Sequence, residues 1–89
     1  MFVIMVYDVN AKRVGKVLKT SRRYLVRVQN SVFEGDITPG KLNSLKKELG
    51  GIIHEDEDSV LFYVWRIGHY NCRDCIGVNK VSWEEVDII

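Results

Sequence analysis

The N-terminal segment is apolar on both faces of the strand that it predicts. Residues 2–7 are all apolar or aromatic, so an extended chain would carry apolar side chains at both its even-numbered and its odd-numbered positions. A strand of this kind is typical of the buried centre of a sheet. Each of its two faces therefore needs a cover.

A helical period replaces this pattern after Asn10. Apolar residues recur at positions 11, 14, 17 and 18, while Lys12, Lys16 and Lys19 fall elsewhere around the helix. The spacing predicts a basic amphipathic helix. We expect this helix to fray and end within residues 20–24. Asn10 is a suitable N-cap for it.

A hairpin, a second helix and a fourth strand are predicted next. Residues 24–38 are rich in Val, Tyr and Phe, with polar positions at 29–31 and a Gly35-Asp36 break, which favours two short strands. Thr38 followed by Pro39 is a helix-start signal, and leucines at 42, 45 and 49 form one stripe before Gly50-Gly51 ends the helix. Residues 60–65 repeat the two-faced apolar pattern of the first strand.

The order β-α-β-β-α-β predicts an α+β fold, the ferredoxin-like antiparallel sheet with both helices on one face. The other face would be left open, and a second copy of the sheet is the simplest cover. Residues 1–65 form the predicted core of a single domain, and residues 66–89 a C-terminal arm for dimer or partner contacts. Within the arm we expect residues 66–85 to be irregular and residues 86–89 to form a short strand at a sheet edge.

Composition restricts the class of protein. The chain has 89 residues, of which 46% are hydrophobic and 28% charged, with one proline, as in an ordinary small globular domain. No run approaches the roughly 18 apolar residues of a membrane span, and the first strand lacks the basic region of a signal peptide. Two cysteines are too few for a disulfide framework. We therefore expect a soluble, cytoplasmic protein.

The charges are unevenly distributed although their sum is only +1. No acidic residue lies between Asp8 and Glu34, and that interval holds seven basic residues: Lys12, Arg13, Lys16, Lys19, Arg22, Arg23 and Arg27. The opposing acidic cluster occupies positions 55–58. This polarity favours one face that binds a polyanion such as nucleic acid and another kept away from it. The alternative is a solvated helix face balanced by an acidic loop.

Asp8 is the first candidate for chemistry, because it places a carboxylate at the end of the first strand, before a helix. One interpretation is structural: the side chain helps to cap that helix. The other is a site for Mg²⁺ or Mn²⁺, which would need two Asp8 residues brought together by a dimer and completed by water and phosphate.

A second candidate is the spacing H-x-x-C-x-x-C formed by His69, Cys72 and Cys75. Structural zinc needs four ligands, so the fourth would have to be His54 or come from another chain. A C-x-x-C pair can also be redox-active, but this one does not open a helix after a strand. Zinc binding, redox chemistry and cysteines without a special role all stay open.

Two segments carry a resemblance to a known family. Met5–Val9 reads MVYDV at a strand end, and Arg27–Gly35 reads RVQNSVFEG; with the basic helix and the Pro39-led helix they resemble the Cas-two family over residues 1–65. This family is the smaller of the two universal CRISPR spacer-acquisition proteins. Its members often carry tyrosine where this chain has Asn30.

The resemblance implies a ferredoxin-like homodimer whose Asp8 carboxylates approach each other, with divalent-metal-dependent hydrolysis of RNA or DNA. It also implies a partner, the Cas-one integrase, and binding of the DNA fragment destined for the CRISPR array. By position, the family's active region matches Tyr7, Asp8, Arg13, Arg27 and Phe33. Two further hypotheses stay open: a scaffold that binds nucleic acid without cleaving it, and a toxin-like ribonuclease of the same fold.

Overall fold

The structure is a computed structural model that describes residues 1–66 and 68–78. The chain forms five strands and two helices in the order β1 Phe2–Asp8, α1 Ala11–Ser21, β2 Val26–Gln29, β3 Val32–Asp36, α2 Pro39–Gly50, β4 Ser59–Arg66 and β5 His69–Gly77. The first six elements confirm the predicted β-α-β-β-α-β order.

The five strands form one sheet in the order β2-β3-β1-β4-β5, and all neighbouring strands are antiparallel. The first strand is the central one, as its two apolar faces predicted. Phe2 lies between Asp36 of β3 and Trp65 of β4. This is the ferredoxin-like arrangement with one strand added at the β4 edge.

Both helices pack on one face of the sheet. The odd-numbered residues of β1 are buried there, beneath Val17 of α1 and the predicted leucine stripe Leu42, Leu45 and Leu49 of α2. The even-numbered residues of β1 point to the opposite side, which we call the open face. The open face also carries Leu61, Tyr63 and Trp65 of β4.

The predicted helix caps are present. The side chain of Asn10 accepts a hydrogen bond from the backbone N–H of Lys12 at 3.0 Å. Thr38 does the same for Lys41 at 3.2 Å, with Pro39 in the first turn. Because Asn10 satisfies the start of α1, the helix does not need Asp8 as its cap.

The prediction of an irregular segment over residues 66–85 is wrong where β5 forms. His69–Gly77 pairs with the whole of β4, with a register shift between Val64 and Trp65. Polar and apolar residues are mixed in β5 because it is an edge strand with much of its surface in water. The predicted terminal strand at residues 86–89 lies outside the described residues, and the role of the arm in dimer or partner contacts stays a prediction.

Among the residues that the structure describes, no helix is long and apolar enough to cross a membrane.

One buried carboxylate joins the start of α1 to the loop before β4. Asp58 is fully buried, and its Oδ1 accepts hydrogen bonds from the backbone N–H of Asn10 at 2.9 Å and from Nη2 of Arg13 at 3.1 Å. Its Oδ2 accepts from Nε of Arg13 at 2.5 Å and from the backbone N–H of His54 at 2.9 Å. A buried charge is tolerated when it is paired and fully hydrogen-bonded, and Asp58 meets both conditions.

The hydrogen bond from Arg13 is the largest influence on the Asp58 carboxyl and lowers its pKa well below the ordinary range. Burial works in the opposite direction, and the backbone N–H groups of Asn10 and His54 add to the lowering. The side chain of Glu57 also binds Asn10 and Arg13. It lies 2.7 Å from Nδ2 of Asn10 and 3.1 Å from Nη2 of Arg13. These contacts, with Asn10 first, also lower the pKa of Glu57.

The acidic cluster is therefore not a separate pole opposite the basic helix. Two of its four members, Glu57 and Asp58, bind the N-terminal end of α1. This arrangement suits the helix dipole, whose positive end favours carboxylates. Glu55 and Asp56 are exposed, as the prediction of an acidic surface loop requires.

The backbone of Asp58 also receives the end of β5. Its carbonyl accepts a hydrogen bond from the N–H of Val78 at 2.8 Å. Gly77 makes this approach possible, because its φ is +81° and a Cβ there would lie 2.1 Å from the Asp58 carbonyl oxygen. Asp58 thus connects α1, the loop before β4 and the end of β5.

Replacing Asp58 by asparagine should destabilise the fold by about 3 kcal/mol near neutral pH, because Arg13 would lose its buried partner. The pKa of Asp58 is lower in the folded state, so its contribution is present above the unfolded pKa of about 4 and is lost as the pH falls. Urea unfolding at about pH 7 and about pH 3 should show the gap between wild type and variant shrinking in acid. Glu57→Gln, at a half-exposed side chain, is the control and should cost much less stability, because solvent screens its contacts. A gap that is independent of pH would contradict the assigned role of the charge.

Gly77→Ala should lower the free energy of unfolding by about 3 kcal/mol, since alanine is strained at positive φ and its Cβ would collide with a backbone oxygen. Gly15→Ala is a matched control on the exposed face of α1, where a Cβ meets nothing within 4 Å. That change should stabilise the protein by about 0.5–1 kcal/mol. Thermal unfolding of both variants measures the contrast, and equal midpoints would exclude the tight approach of β5 to Asp58.

Candidate functional site

Asp8 is the last residue of β1 and is exposed. Its backbone lies opposite Ser59, the first residue of β4. The alternation along β1 places Asp8 on the open face, together with Phe2, Ile4 and Val6. The carboxylate therefore stands at one end of an apolar surface and not on the helix-covered side.

Tyr7 and Phe33 occupy the opposite, helix-covered face. Tyr7 is 5% exposed and Phe33 is fully buried. Their ring centroids lie 6.1 Å apart. Both rings therefore belong to the core and pack the end of the strand that carries Asp8.

The tip of the β2–β3 hairpin is fastened beside Asp8. The backbone N–H of Tyr7 donates to the carbonyl of Ser31 at 3.1 Å. Arg27, on the exposed edge strand β2, donates from Nη2 to Oδ1 of Asn30 at 3.0 Å. These hydrogen bonds link Arg27 to the hairpin tip and the tip to the residue that precedes Asp8. A common active region of Asp8 and Arg27 stays a prediction.

Arg13 does not lie free beside Asp8. Its side chain is only 15% exposed and faces Asp58 and Glu57. The two carboxylates already balance its charge, so its position does not support the predicted phosphate contact. Arg13 instead orients the N-terminal end of α1.

The predicted basic surface of α1 is present in part. Lys12, Lys16 and Lys19 are exposed along one side of the helix, and we call this set the α1 lysine stripe. Arg22 is exposed beyond the end of the helix. Within the described part of the chain, these four side chains form no ion pair. Their charges are available to a polyanion.

Arg23 is engaged in a contact between the segment after α1 and the helix α2. Its guanidinium donates to Glu48 of α2, and the hydroxyl of Tyr24 donates to the same carboxylate at 2.5 Å. The hydrogen bond from Tyr24, followed by that from Arg23, lowers the pKa of Glu48. The same bond raises the pKa of Tyr24. Arg23 therefore contributes less free charge to nucleic-acid binding than the lysines do.

The two cysteines point to opposite faces of β5. Cys72 pairs with Val64, a core residue, and itself packs against the core. Cys75 pairs with Leu61 on the open face. His69, Cys72 and Cys75 therefore do not converge as zinc ligands, and the two sulfurs are not placed to form a disulfide.

The described residues do not supply a complete metal cage. Over residues 1–66 and 68–78, no three His, Cys, Asp or Glu side chains are grouped so that they could hold a metal ion. Mg²⁺ is often held by one or two carboxylates, with water and substrate phosphate as the other ligands. An exposed Asp8 fits that kind of site if a second carboxylate comes from another subunit.

The open face carries a row of aromatic side chains at the end remote from Asp8. The ring centroids of Phe2 and Trp65 are 6.0 Å apart, and those of Trp65 and Tyr70 are 5.4 Å apart. Tyr70 is 46% exposed. Such a surface is typical of a protein contact.

Two features of this region were not predicted as parts of the site. No sequence pattern indicated the buried role of Asp58, which resembled any other member of the acidic cluster. The Asn30-Ser31 turn was predicted only as a polar break, although its position between two apolar strands is a turn signal.

Comparison with known proteins gives a consistent result. The model of the family "CRISPR associated protein Cas2" matches residues 1–71. A "CRISPR-associated endoribonuclease Cas2" of Dictyoglomus turgidum is 51% identical over 97% of this chain and 99% of its own length. A protein of the same name from Thermotoga maritima is 54% identical over 90% of this chain and 92% of its own.

A solved structure described as "Crystal structure of cas2" is also similar. It is 42% identical, with a TM-score of 0.70 over 100% of this chain and 97% of the other. The chain therefore belongs to the family of the CRISPR associated protein Cas2.

Proposed function

We propose that this chain is a CRISPR endonuclease that works as a homodimer and hydrolyses phosphodiester bonds of RNA or DNA with a divalent cation, Mg²⁺ or Mn²⁺. One observation carries the proposal: the exposed carboxylate of Asp8 ends the central strand on the same face as apolar side chains that are only half-buried. Whatever covers that face also approaches Asp8.

A second subunit is the cover that fits best. Phe2, Ile4 and Val6 of β1 are only half-buried in the single chain, as are Tyr63 and Trp65 of β4. A small chain gains stability by burying such a surface against its own copy. A two-fold contact of this kind would bring two Asp8 carboxylates to one interface. A stable monomer in sedimentation at micromolar concentration would contradict it.

The paired carboxylates would hold the cation. When bound, a divalent cation polarises the phosphodiester and lowers the pKa of the attacking water. Asp8 would supply the negative charge that attracts the cation, and Arg27 would hold a phosphate oxygen at the hairpin tip. Tyr7 and Phe33, packed together in the core, would keep the end of β1 in place.

The substrate is expected to be a polymer. The site at Asp8 is an exposed strand end and not an enclosed pocket, so a long chain can pass along it. The name endoribonuclease of two relatives that span nearly all of this chain supports RNA as one substrate. The α1 lysine stripe would bind backbone phosphates without reading bases.

A second function is favoured by one feature of the fold. The α1 lysine stripe lies on the helix layer, whereas Asp8 lies on the opposite side of the sheet. Nucleic acid held by the stripe would not automatically reach the carboxylate. This separation suits a scaffold in spacer acquisition, in which the dimer binds a DNA fragment and contacts the Cas-one integrase without cleaving.

Asp8→Asn separates the two functions, because asparagine keeps the size of the side chain but removes the charge that the cation needs. If the protein is a metal-dependent nuclease, the variant should stay folded and dimeric, bind RNA normally and lose cleavage by about 100-fold or more. Cleavage of labelled RNA and DNA with Mg²⁺, Mn²⁺ or chelator measures this. Asp36→Asn, at an exposed carboxylate on the opposite end of the open face, is the matched control and should cleave normally.

Equal cleavage by wild type and Asp8→Asn would exclude Asp8 as the metal ligand. If wild type cleaves nothing under any of these conditions but is still required for integration of new DNA into a CRISPR array, the scaffold function holds.

Replacing Lys12, Lys16 and Lys19 by glutamine should weaken binding to all sequences alike. The slope of log affinity against log salt should become less negative by about 2, because about three phosphate contacts are removed. Fluorescence anisotropy at several salt concentrations measures the slope. Lys41→Gln with Lys47→Gln, at exposed positions on α2, is the control and should leave it unchanged. An unaltered slope in the α1 variant would show that the stripe is only a solvated helix surface.

A further inference from the structure

The turn between β2 and β3 is set by its contact with β1. Val6 is the last residue of β1 that pairs with β3, opposite Val32. One residue further along, the N–H of Tyr7 donates to the Ser31 carbonyl at 3.1 Å. Ser31 is therefore held against the residue that precedes Asp8.

The turn adopts a conformation that its sequence does not favour. Ser31 has a φ of 64°, in the left-handed region, and is the one non-glycine residue with positive φ among those described. Glycine or asparagine is the usual choice at such a turn position. A strained residue persists where neighbouring contacts fix it, and such residues concentrate at functional sites. Here the contact is with the strand that ends in Asp8.

Asn30 uses this fixed position to hold Arg27. The 3.0 Å hydrogen bond from Nη2 of Arg27 to Oδ1 of Asn30 is the one contact of that guanidinium within the described residues. All four residues of β2 are exposed, so packing does not order the arginine. A preordered arginine loses less entropy when it binds a phosphate. The bond also leaves the amide NH₂ of Asn30 as a donor for the same anion.

We propose that Asn30 is a positioning residue of the Asp8 site, which holds the Arg27 guanidinium at the hairpin tip for a phosphate of the nucleic acid. The inference rests on the proposed function, since it assumes that a nucleic-acid strand passes Asp8. Beyond that function, it assigns Asn30 as the residue that orients Arg27, and a backbone phosphate as the group that the two residues bind. It also explains the strained backbone of the Asn30-Ser31 turn, because the hydrogen bond to β1 holds the turn in the position that Asn30 needs to bind Arg27.

A double-mutant cycle tests this proposal. Binding of a single-stranded RNA oligonucleotide is measured by anisotropy in EDTA, and its cleavage is measured with Mg²⁺, for wild type, Asn30→Ala, Arg27→Gln and the double variant. Asn30→Ala should weaken binding by about 3-fold and Arg27→Gln by about 10-fold, and the double variant should match Arg27→Gln alone. Asn43→Ala, an exposed asparagine on α2, is the control and should bind as wild type does.

Additive losses in the double variant would overturn the proposal, because Asn30 would then not act through Arg27. Wild-type binding by Asn30→Ala, or no RNA binding by the wild-type protein, would overturn it too. The outcomes for the proposed nuclease are distinct. Coupled losses in binding without Asp8-dependent cleavage would support Asn30 as the residue that positions Arg27 and reject the nuclease alone.

Discussion

The Asp58 carboxylate is the contact on which the arrangement of the chain around the end of β1 depends. A charge that is removed from water must have its lone pairs engaged. Asp58 achieves this with Asn10 and Arg13 at the start of α1 and with His54 in the loop before β4. Asp8 lies close to this contact in the structure. Its backbone pairs with Ser59, the residue after Asp58, and Asn10 follows Asp8 by two residues. The orientation of the strand end therefore follows from a residue that would itself touch no substrate.

The sheet separates two kinds of surface. Its open face is apolar and aromatic and ends in the carboxylate of Asp8, whereas the helix layer is basic along the α1 lysine stripe. An apolar surface favours a protein neighbour, and a basic one favours nucleic acid. A nuclease and a scaffold place different demands on these surfaces: the first requires nucleic acid at the open-face edge, and the second requires only the helix layer and a dimer.

Local patterns explain which parts of the fold could be predicted. The two-faced apolar strands, the Asn10 and Thr38 caps and the leucine stripe of α2 are all encoded within a few neighbouring residues. The missed features depend on contacts between distant parts of the chain. Arg13 resembled a free phosphate-binding residue because its partner Asp58 lies 45 positions away. The strand β5 was missed because its mixed sequence makes sense only against β4, and the hold of Asn30 on Arg27 requires the actual geometry of the turn.

The central position of β1 has a consequence for how the chain acquires its structure. Both partners of β1 follow it by long intervals, with Phe2 paired to Asp36 on one side and to Trp65 on the other. During synthesis this apolar strand is made before both of its neighbours, and β4 can join it only after β3 and α2 have been made. Such distant pairings slow folding, and they leave an apolar strand exposed while the chain waits. Synthesis interrupted before β4 would therefore release a fragment prone to aggregation.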